Sequence, residues 1–346
     1  MPSRNMIAAN AAIFETIDEY CRRRGDVLAT ANHPRWINTT SQERGALKHA
    51  SLTSDVSLSA SIKLARFDLY NRIYFLTSGL DTLDVPTELQ VEDINAGLVT
   101  AFLSELQPTP IASSAKVRDV IDFASKTMTQ SYNGHDASAI VELYPRIQIF
   151  SAQALALDES LKVFFLLCLD DRRRTEQWID ANLAQNLRTI ALLNPAALPY
   201  RILYRPLLEI DPASLFLALY RCLEAVYAYT HTQDLAAQLG LAIPWTELAQ
   251  TLEEVLAWHP REEPSLEALL RHSIPDDLDA VLDALNEAPD PNARKEALVA
   301  RRVYSLRNAL VHYRPFHQGV SFERIDWNRL CEAMALLVFH TYGSIN

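Results

Sequence analysis

The stretch Tyr304-Ser305-Leu306-Arg307-Asn308-Ala309-Leu310-Val311-His312-Tyr313-Arg314-Pro315 decides how the C-terminal part of the chain is interpreted. Its apolar residues predict a helix, and the proline at its end is of the type that stops one. An arginine, an amide and an imidazole stand on this apolar background, where a core helix has no need of them. A guanidinium suits a phosphate group and a titratable imidazole suits proton transfer, so the stretch indicates chemistry on phosphodiesters.

Helices are predicted on both sides of this stretch. An N-cap aspartate followed by proline, Asp211-Pro212, begins a helix whose apolar stripe runs to Val226. Four more helices are predicted over residues 245–258, 266–285, 292–312 and 326–342. Five consecutive helices joined by short turns, most of them containing proline, predict an up-and-down bundle over residues 205–346.

The N-terminal 200 residues are predicted to form a separate sensing or regulatory domain. With only eight glycines in the chain, the pattern favours helices, over residues 7–24, 117–129, 155–169 and 172–193. Residues 56–64 alternate between apolar and polar and predict a strand, whereas a helix over residues 61–76 is the competing prediction. Residues 107–114 indicate a connector, and an internal boundary is expected near 107–115. The predicted fold class is therefore mainly α, with a few strands left open in this domain.

Composition bounds the class of protein. A chain of 346 residues that is 49% hydrophobic and 22% charged is long enough for two folded domains. It contains no run of about 18 apolar residues, and its N-terminus lacks the pattern of a signal peptide. Its four cysteines are scattered without a Cys-x-x-Cys pair. We therefore expect a cytoplasmic protein that has no membrane span, needs no cofactor and holds no metal site.

Charge is distributed unevenly along the chain. The net charge of −11 argues against broad nonspecific binding of nucleic acid, because cationic contacts carry most of that affinity. Residues 261–290 carry −7, however, and residues 291–316 carry +5. The candidate site thus lies in the main basic segment of the chain, although a solvated helix face with compensating charges explains the same pattern.

The motif Arg307-Asn308-x-x-x-His312, followed by a proline turn and a last apolar helix, resembles the HEPN superfamily of helical-bundle ribonucleases. The resemblance covers residues 205–346. It implies catalytic roles for Arg307, Asn308 and His312 in a composite site across a homodimer. Tyr220 and Glu224 are similar to an aromatic residue and a glutamate that many members carry on an earlier helix, and they are candidates for a supporting role.

Helix geometry is consistent with a composite site. Residues four apart share a helix face, so Asn308 and His312 are expected to point together. Arg307 is turned from His312 by about 140° on a straight helix. Either the helix is distorted at this point, or Arg307 meets the His312 of a second chain near a two-fold axis.

The chemistry that follows is metal-independent attack of an RNA 2′-OH on the adjacent phosphate. His312 would move a proton, Arg307 would stabilise the charge that grows on the phosphoryl oxygens, and Asn308 would orient the phosphate or the imidazole. Further candidates for contacts with RNA are Arg301, Arg302, Arg314 and His317. Each of these has an ordinary alternative as a solvated side chain.

Two other interpretations stay open. Arg44 and His49 have the same Arg-x4-His spacing, but a glycine follows the arginine and the surroundings are polar. The C-terminal bundle is alternatively a non-catalytic scaffold that dimerises or binds a protein partner. For a nuclease, the resemblance implies a toxin or antiviral role, with RNA as substrate. An antitoxin, a regulatory ATPase or a phage-derived trigger is then a plausible partner.

Overall fold

The chain folds into two compact units, Met1–Arg172 and Arg173–Asn346. The computed structural model describes residues 4–30, 33–82, 84–126, 132–171, 178–193, 197–287, 290, 292–312 and 325–345. The sequence pattern places the division between residues 200 and 205 instead. The difference has a physical reason, because the segment from Trp178 onwards is bonded to the last helix of the chain: Trp178 and Asp180 both form hydrogen bonds with Asn328.

The first unit combines six helices with one sheet in its described residues. The helices are α1 (Met6–Arg22), α2 (Ser41–His49), α3 (Ala96–Leu106), α4 (Ser114–Lys126), α5 (Ala137–Val141) and α6 (Glu159–Leu169). The strands are β1 (Ser51–Ser57), β2 (Lys63–Leu69), β3 (Arg72–Ser78), β4 (Gln90–Glu92) and β5 (Ile147–Ala152). The strand order is β1-β2-β3-β5-β4, and all pairs are antiparallel.

The segment that the sequence left ambiguous forms a β-meander. Residues 56–64 comprise the end of β1, a turn and the start of β2, so neither one strand over 56–64 nor a helix over 61–76 is correct. The β-branched and aromatic residues of β2 and β3 favour strands. Their register, Leu69 opposite Arg72, leaves a two-residue turn in which Tyr70 adopts a φ of 54°.

Helices cover both faces of this sheet. Alternate residues of β2, among them Ala65 and Phe67, join the core that α1 and α3 build on one face. On the other face, Phe75 of β3 meets Phe164 of α6 edge to face, with ring centroids 5.8 Å apart. The connector predicted over residues 107–114 does separate α3 from α4, which begins at Ser114. It lies inside this unit and is bonded to it through Thr109 and Ile111.

The second unit is helical throughout its described residues. Its helices are α7 (Ala181–Ile190), α8 (Pro212–Glu224), α9 (Ala228–Leu239), α10 (Trp245–Leu256), α11 (Glu262–Leu270), α12 (Pro275–Ala284), α13 (Lys295–Val311) and α14 (Trp327–Ile345). Two 3₁₀ turns, Tyr200–Ile202 and Pro206–Leu208, precede α8. As predicted from Asp211-Pro212, the Asp211 carboxylate caps α8 by accepting from the Ala213 amide at 3.0 Å.

Seven helices from α8 onwards replace the five that the sequence predicts. The segment 266–285 is two helices, because Pro275 begins α12 after the break at residues 271–274. The segment after α8 adds α9, which ends at Gly240 with a φ of 66°. The apolar helix α14 packs on α7, α8 and α12, while α13 packs on α11 and α12 and touches α8. This packing brings α8, α11 and α13 together.

Candidate functional site

The motif arginine lies four residues before the end of α13, and the motif histidine lies just beyond that helix. His312 is the C-cap residue, with φ −111° and ψ 112°, and its amide donates to the Asn308 carbonyl at 2.9 Å. Its side chain is exposed. One backbone turn thus separates Asn308 from His312, and their shared helix face stays a prediction. The backbone leaves the helix at His312 and carries the imidazole into solvent.

Three side chains of the same unit hold the Arg307 guanidinium. Its Nη1 donates to the Asn308 Oδ1 at 2.9 Å, although the two residues are consecutive on the helix. Its Nη2 lies 3.5 Å from the Glu224 Oε1, and its Nη1 lies 3.4 Å from the Glu262 Oε2. Side chains of consecutive helical residues diverge, but the long Arg307 side chain curves back to the Asn308 amide.

The two loosely matching residues of α8 meet the motif in the folded chain. Glu224 pairs with Arg307, and the Arg307 Cζ lies 5.8 Å from the centre of the Tyr220 ring. Tyr220 is 1% exposed, so its ring forms a buried floor under the guanidinium. Residues more than 80 positions apart in sequence converge here.

Sequence reasoning missed Glu262. It lies at the start of α11, where acidic residues are common because they favour the positive end of the helix dipole. This local role is sufficient to explain a glutamate at position 262, so the sequence does not indicate its contact with Arg307. Only the acidic pair Glu262-Glu263 at a predicted helix start gave a signal, and such pairs are too frequent to indicate a partner.

Burial governs the ionisation of this site. Burial raises the pKa of Glu224 above its ordinary value, and the nearby Glu262 adds to this, while Arg307 and Arg221 oppose it. Burial also raises the pKa of Tyr220 to about 12, and it raises that of Tyr227 further. Both tyrosines therefore stay protonated at neutral pH and offer hydroxyl groups rather than charges.

Three buried polar atoms of this site lack a well-formed hydrogen bond within the described residues. They are the hydroxyls of Tyr220 and Tyr227 and the Glu262 Oε2. The rings of Tyr220 and Tyr227 meet edge to face at 6.3 Å, and their hydroxyls interact only weakly with one another. Most buried polar groups in proteins have partners, so this cluster is a polar region with unused hydrogen-bonding capacity.

The remaining candidates do not all reach the site. Arg302 is paired with Glu287 at 2.9 Å, and Arg301 is exposed on the same helix. Arg314 and His317 lie outside the described residues.

The second Arg-x4-His pair belongs to the first unit, where Arg44 is exposed on α2 and the centre of the His49 ring lies 6.1 Å from that of the Tyr70 ring. It has no counterpart of Tyr220, Glu224 or Asn308.

The described residues contain neither a metal-binding cluster nor a membrane-spanning helix. There, no three His, Cys, Asp or Glu side chains are grouped so that they could hold a metal ion. None of the described helices is both long enough and apolar enough to span a bilayer. The four cysteines are buried and unpaired.

Comparison with known proteins gives no relative. No family model, no curated protein and no solved structure matches the chain.

Proposed function

We propose that the chain is a metal-independent endoribonuclease whose site contains Arg307, Asn308 and His312, in the manner of the HEPN superfamily. One observation carries the proposal. Tyr220 and Glu224, chosen from the sequence only because they are similar to supporting residues of that family, lie against Arg307 in the folded chain. Two helices that are distant in sequence thus supply four of the five candidate residues to one place.

The contacts of Arg307 suit the binding of a phosphate. Its distances to Glu224 and Glu262, 3.5 and 3.4 Å, exceed the 2.7–2.9 Å that is usual for charge-assisted hydrogen bonds. A phosphoryl oxygen can therefore displace one carboxylate, while Asn308 keeps the guanidinium in position. The charge that develops on the phosphate during attack by the 2′-OH is stabilised by this arginine.

His312 supplies the proton transfer. Histidine side chains titrate near neutral pH, and the exposed position of His312 at the end of α13 leaves its ring accessible to a substrate. Attack by the 2′-OH requires removal of its proton, and the leaving 5′-oxygen requires one. Products with 2′,3′-cyclic phosphate ends follow from this route, and DNA, which lacks the 2′-OH, is not cut.

A test of the proposal is RNA cleavage in EDTA by wild type and by His312→Ala. His49→Ala is the matched control, because it removes the histidine of the other Arg-x4-His pair. We expect wild type and His49→Ala to give 2′,3′-cyclic ends and His312→Ala to be slower by about 100-fold or more, the usual contribution of general acid–base catalysis. Equal cleavage by all three proteins would falsify the role of His312.

The composite site has its own test. A mixture of Arg307→Lys and His312→Ala chains forms heterodimers in which one of two sites has both residues intact. Random mixing of equal amounts makes half of the dimers heterodimers, so recovery of about a quarter of the wild-type activity supports a site shared by two chains. If neither single variant is complemented although both are dimeric by light scattering, Arg307 and His312 act within one chain.

A non-catalytic scaffold is the second candidate, and one observation favours it. Glu224 and Glu262 already neutralise Arg307 within its own chain, so the arginine has a structural role without any ligand. Under this reading, Arg307→Ala and His312→Ala leave the effects of expression on a bacterial host unchanged. Under the nuclease reading, wild type slows growth and both variants relieve it, as for a toxin or defence nuclease that is restrained by an antitoxin, a regulatory ATPase or a phage-derived trigger.

A further inference from the structure

The first unit contains a cleft of about 830 Å³ between α1, the segment 33–39 and the start of α2. This volume lies within the roughly 300–1,000 Å³ that is typical of small-molecule sites. The cleft belongs entirely to the N-terminal unit and contains none of the residues of the proposed nuclease site in the second unit. Its lining includes aromatic side chains, carboxylates and arginines.

Asn10 fixes the middle of the cleft. This side chain is 7% exposed, accepts from the Ile37 amide at 2.8 Å and donates to the Met6 carbonyl at 2.9 Å. The bond to Ile37 lays the segment 33–39 along α1. One amide N–H of Asn10 remains for a ligand, because a primary amide has two.

The lining of the cleft includes an aromatic wall and an acid. Phe14, His33 and Trp36 line it together with Glu15, whose side chain is exposed. Tyr132 supports this wall from behind, since its ring stacks on His33 at 4.1 Å and meets Trp36 edge to face at 4.3 Å. A rigid aromatic wall of this kind suits a planar ring, and bases stack on such side chains.

The lining also includes a cation that no described carboxylate pairs with. Arg44 lines the cleft beside Thr39, and its guanidinium makes one long contact, 3.5 Å to the Thr39 carbonyl. No carboxylate among the described residues pairs with it. The other arginines of the lining are engaged: Arg22 binds Asp18 and Glu19, and Arg35 binds the Ala29 carbonyl. Arg44 is therefore the group that is available for an anion.

The aromatic wall and Arg44 are close enough for one nucleotide to reach both. Trp36 and Thr39 are three residues apart in an irregular, extended segment, which spans at most about 10 Å. We propose that this cleft binds a nucleotide, with its base against Trp36, an exocyclic amino group on Glu15 and its phosphate on Arg44. Adenine, cytosine and guanine carry such an amino group and uracil does not. A free mononucleotide and the 5′-phosphorylated end of an RNA strand share this chemistry.

The test is calorimetric titration of the full-length chain with AMP, CMP, GMP, UMP, adenosine and inorganic phosphate. All proteins carry His312→Ala, so that cleavage plays no part and the result is independent of the proposed nuclease. We expect at least one amino-bearing nucleotide to bind at least fivefold more tightly than UMP and tenfold more tightly than adenosine or phosphate. Arg44→Ala should weaken this binding about tenfold, and Glu15→Ala should abolish the preference over UMP.

Lys48→Ala is the matched control, because Lys48 is an exposed cation on α2 that does not line the cleft. It should bind as the parent protein does. A 5′-phosphorylated trinucleotide that binds tenfold more tightly than any mononucleotide assigns the cleft to a strand end. The proposal is overturned by the absence of binding at millimolar nucleotide, by inorganic phosphate binding as tightly as nucleotides, or by equal affinities of the Arg44→Ala and Lys48→Ala proteins.

Discussion

Arg307 is the residue on which the second unit depends most directly, because it separates two carboxylates. Its side chain is 20% exposed and lies between Glu224 and Glu262. Arg307→Ala leaves these acids facing each other in a half-buried place, without their common counter-ion. We expect a loss of about 2 kcal/mol in the free energy of unfolding, between the values for exposed and buried ion pairs. Urea denaturation measures it.

The control for this variant is Arg301→Ala, which removes an exposed arginine from the same helix. A loss within about 0.5 kcal/mol is expected there, as for most surface substitutions. Adding Glu262→Gln to Arg307→Ala should restore part of the lost stability, because it removes the repulsion between the acids. Equal losses in Arg301→Ala and Arg307→Ala would show that the ion pairs contribute nothing to stability.

At the scale of elements, the sequence predicts where helices begin and end better than it predicts which elements pack against one another. The helices α13 and α14 lie within three residues of their predicted bounds, because amphipathic spacing, caps and prolines are local signals. The β2–β3 hairpin was missed, since its turn is Tyr70-Asn71 rather than the Asn-Gly or Asp-Gly that marks such turns. The contact of Glu262 with Arg307 depends on the packing of α11 against α13, for which no local pattern exists.

The junction of α2 and α3 depends on a glycine. A Cβ on Gly97 would lie 1.9 Å from the Glu43 carbonyl oxygen and 2.9 Å from the Leu47 nitrogen. Both are backbone atoms, so the helices must separate to accept it. Separation would also strain the hydrogen bond from the Ala96 amide to the Glu43 carboxylate. We expect Gly97→Ala to lower the free energy of unfolding of the first unit by about 3 kcal/mol.

Gly343→Ala is the matched control, because Gly343 is also helical but a Cβ there meets no atom within 4 Å. Alanine is favoured over glycine inside a helix by roughly 0.5–1 kcal/mol, so this variant should be slightly more stable than wild type. Thermal melting of both variants makes the comparison. If Gly97→Ala melts at or above the wild-type temperature, α2 and α3 do not approach each other as closely as described.

For the molecule as a whole, lowering the pH should change the stability of the two units in opposite directions through His135 and Glu224. Burial lowers the pKa of His135 in the first unit to about 4, with Arg35 adding to the effect. The unfolded chain then binds more protons than the folded one between pH 6.5 and 4, so stability falls as the pH falls. The raised pKa of Glu224 in the second unit has the reverse effect. The stabilising contribution of Glu224 is complete below the ordinary pKa of a glutamate. It is lost as the pH rises through the pKa that Glu224 has in the folded chain.

Calorimetric unfolding at pH 7 and pH 4.5 tests this through two variants. Because each unit buries its own set of apolar side chains, we expect two transitions. His135→Phe keeps an aromatic ring against Phe14 but cannot be protonated. It should therefore reduce the loss of stability that acid causes in the first unit. One pKa unit corresponds to about 1.4 kcal/mol. The acid-induced loss of stability should therefore differ by a few kcal/mol between wild type and His135→Phe. Glu224→Gln should reduce only the gain in stability that acid gives to the second unit. If either variant changes both transitions alike, the two units unfold as one.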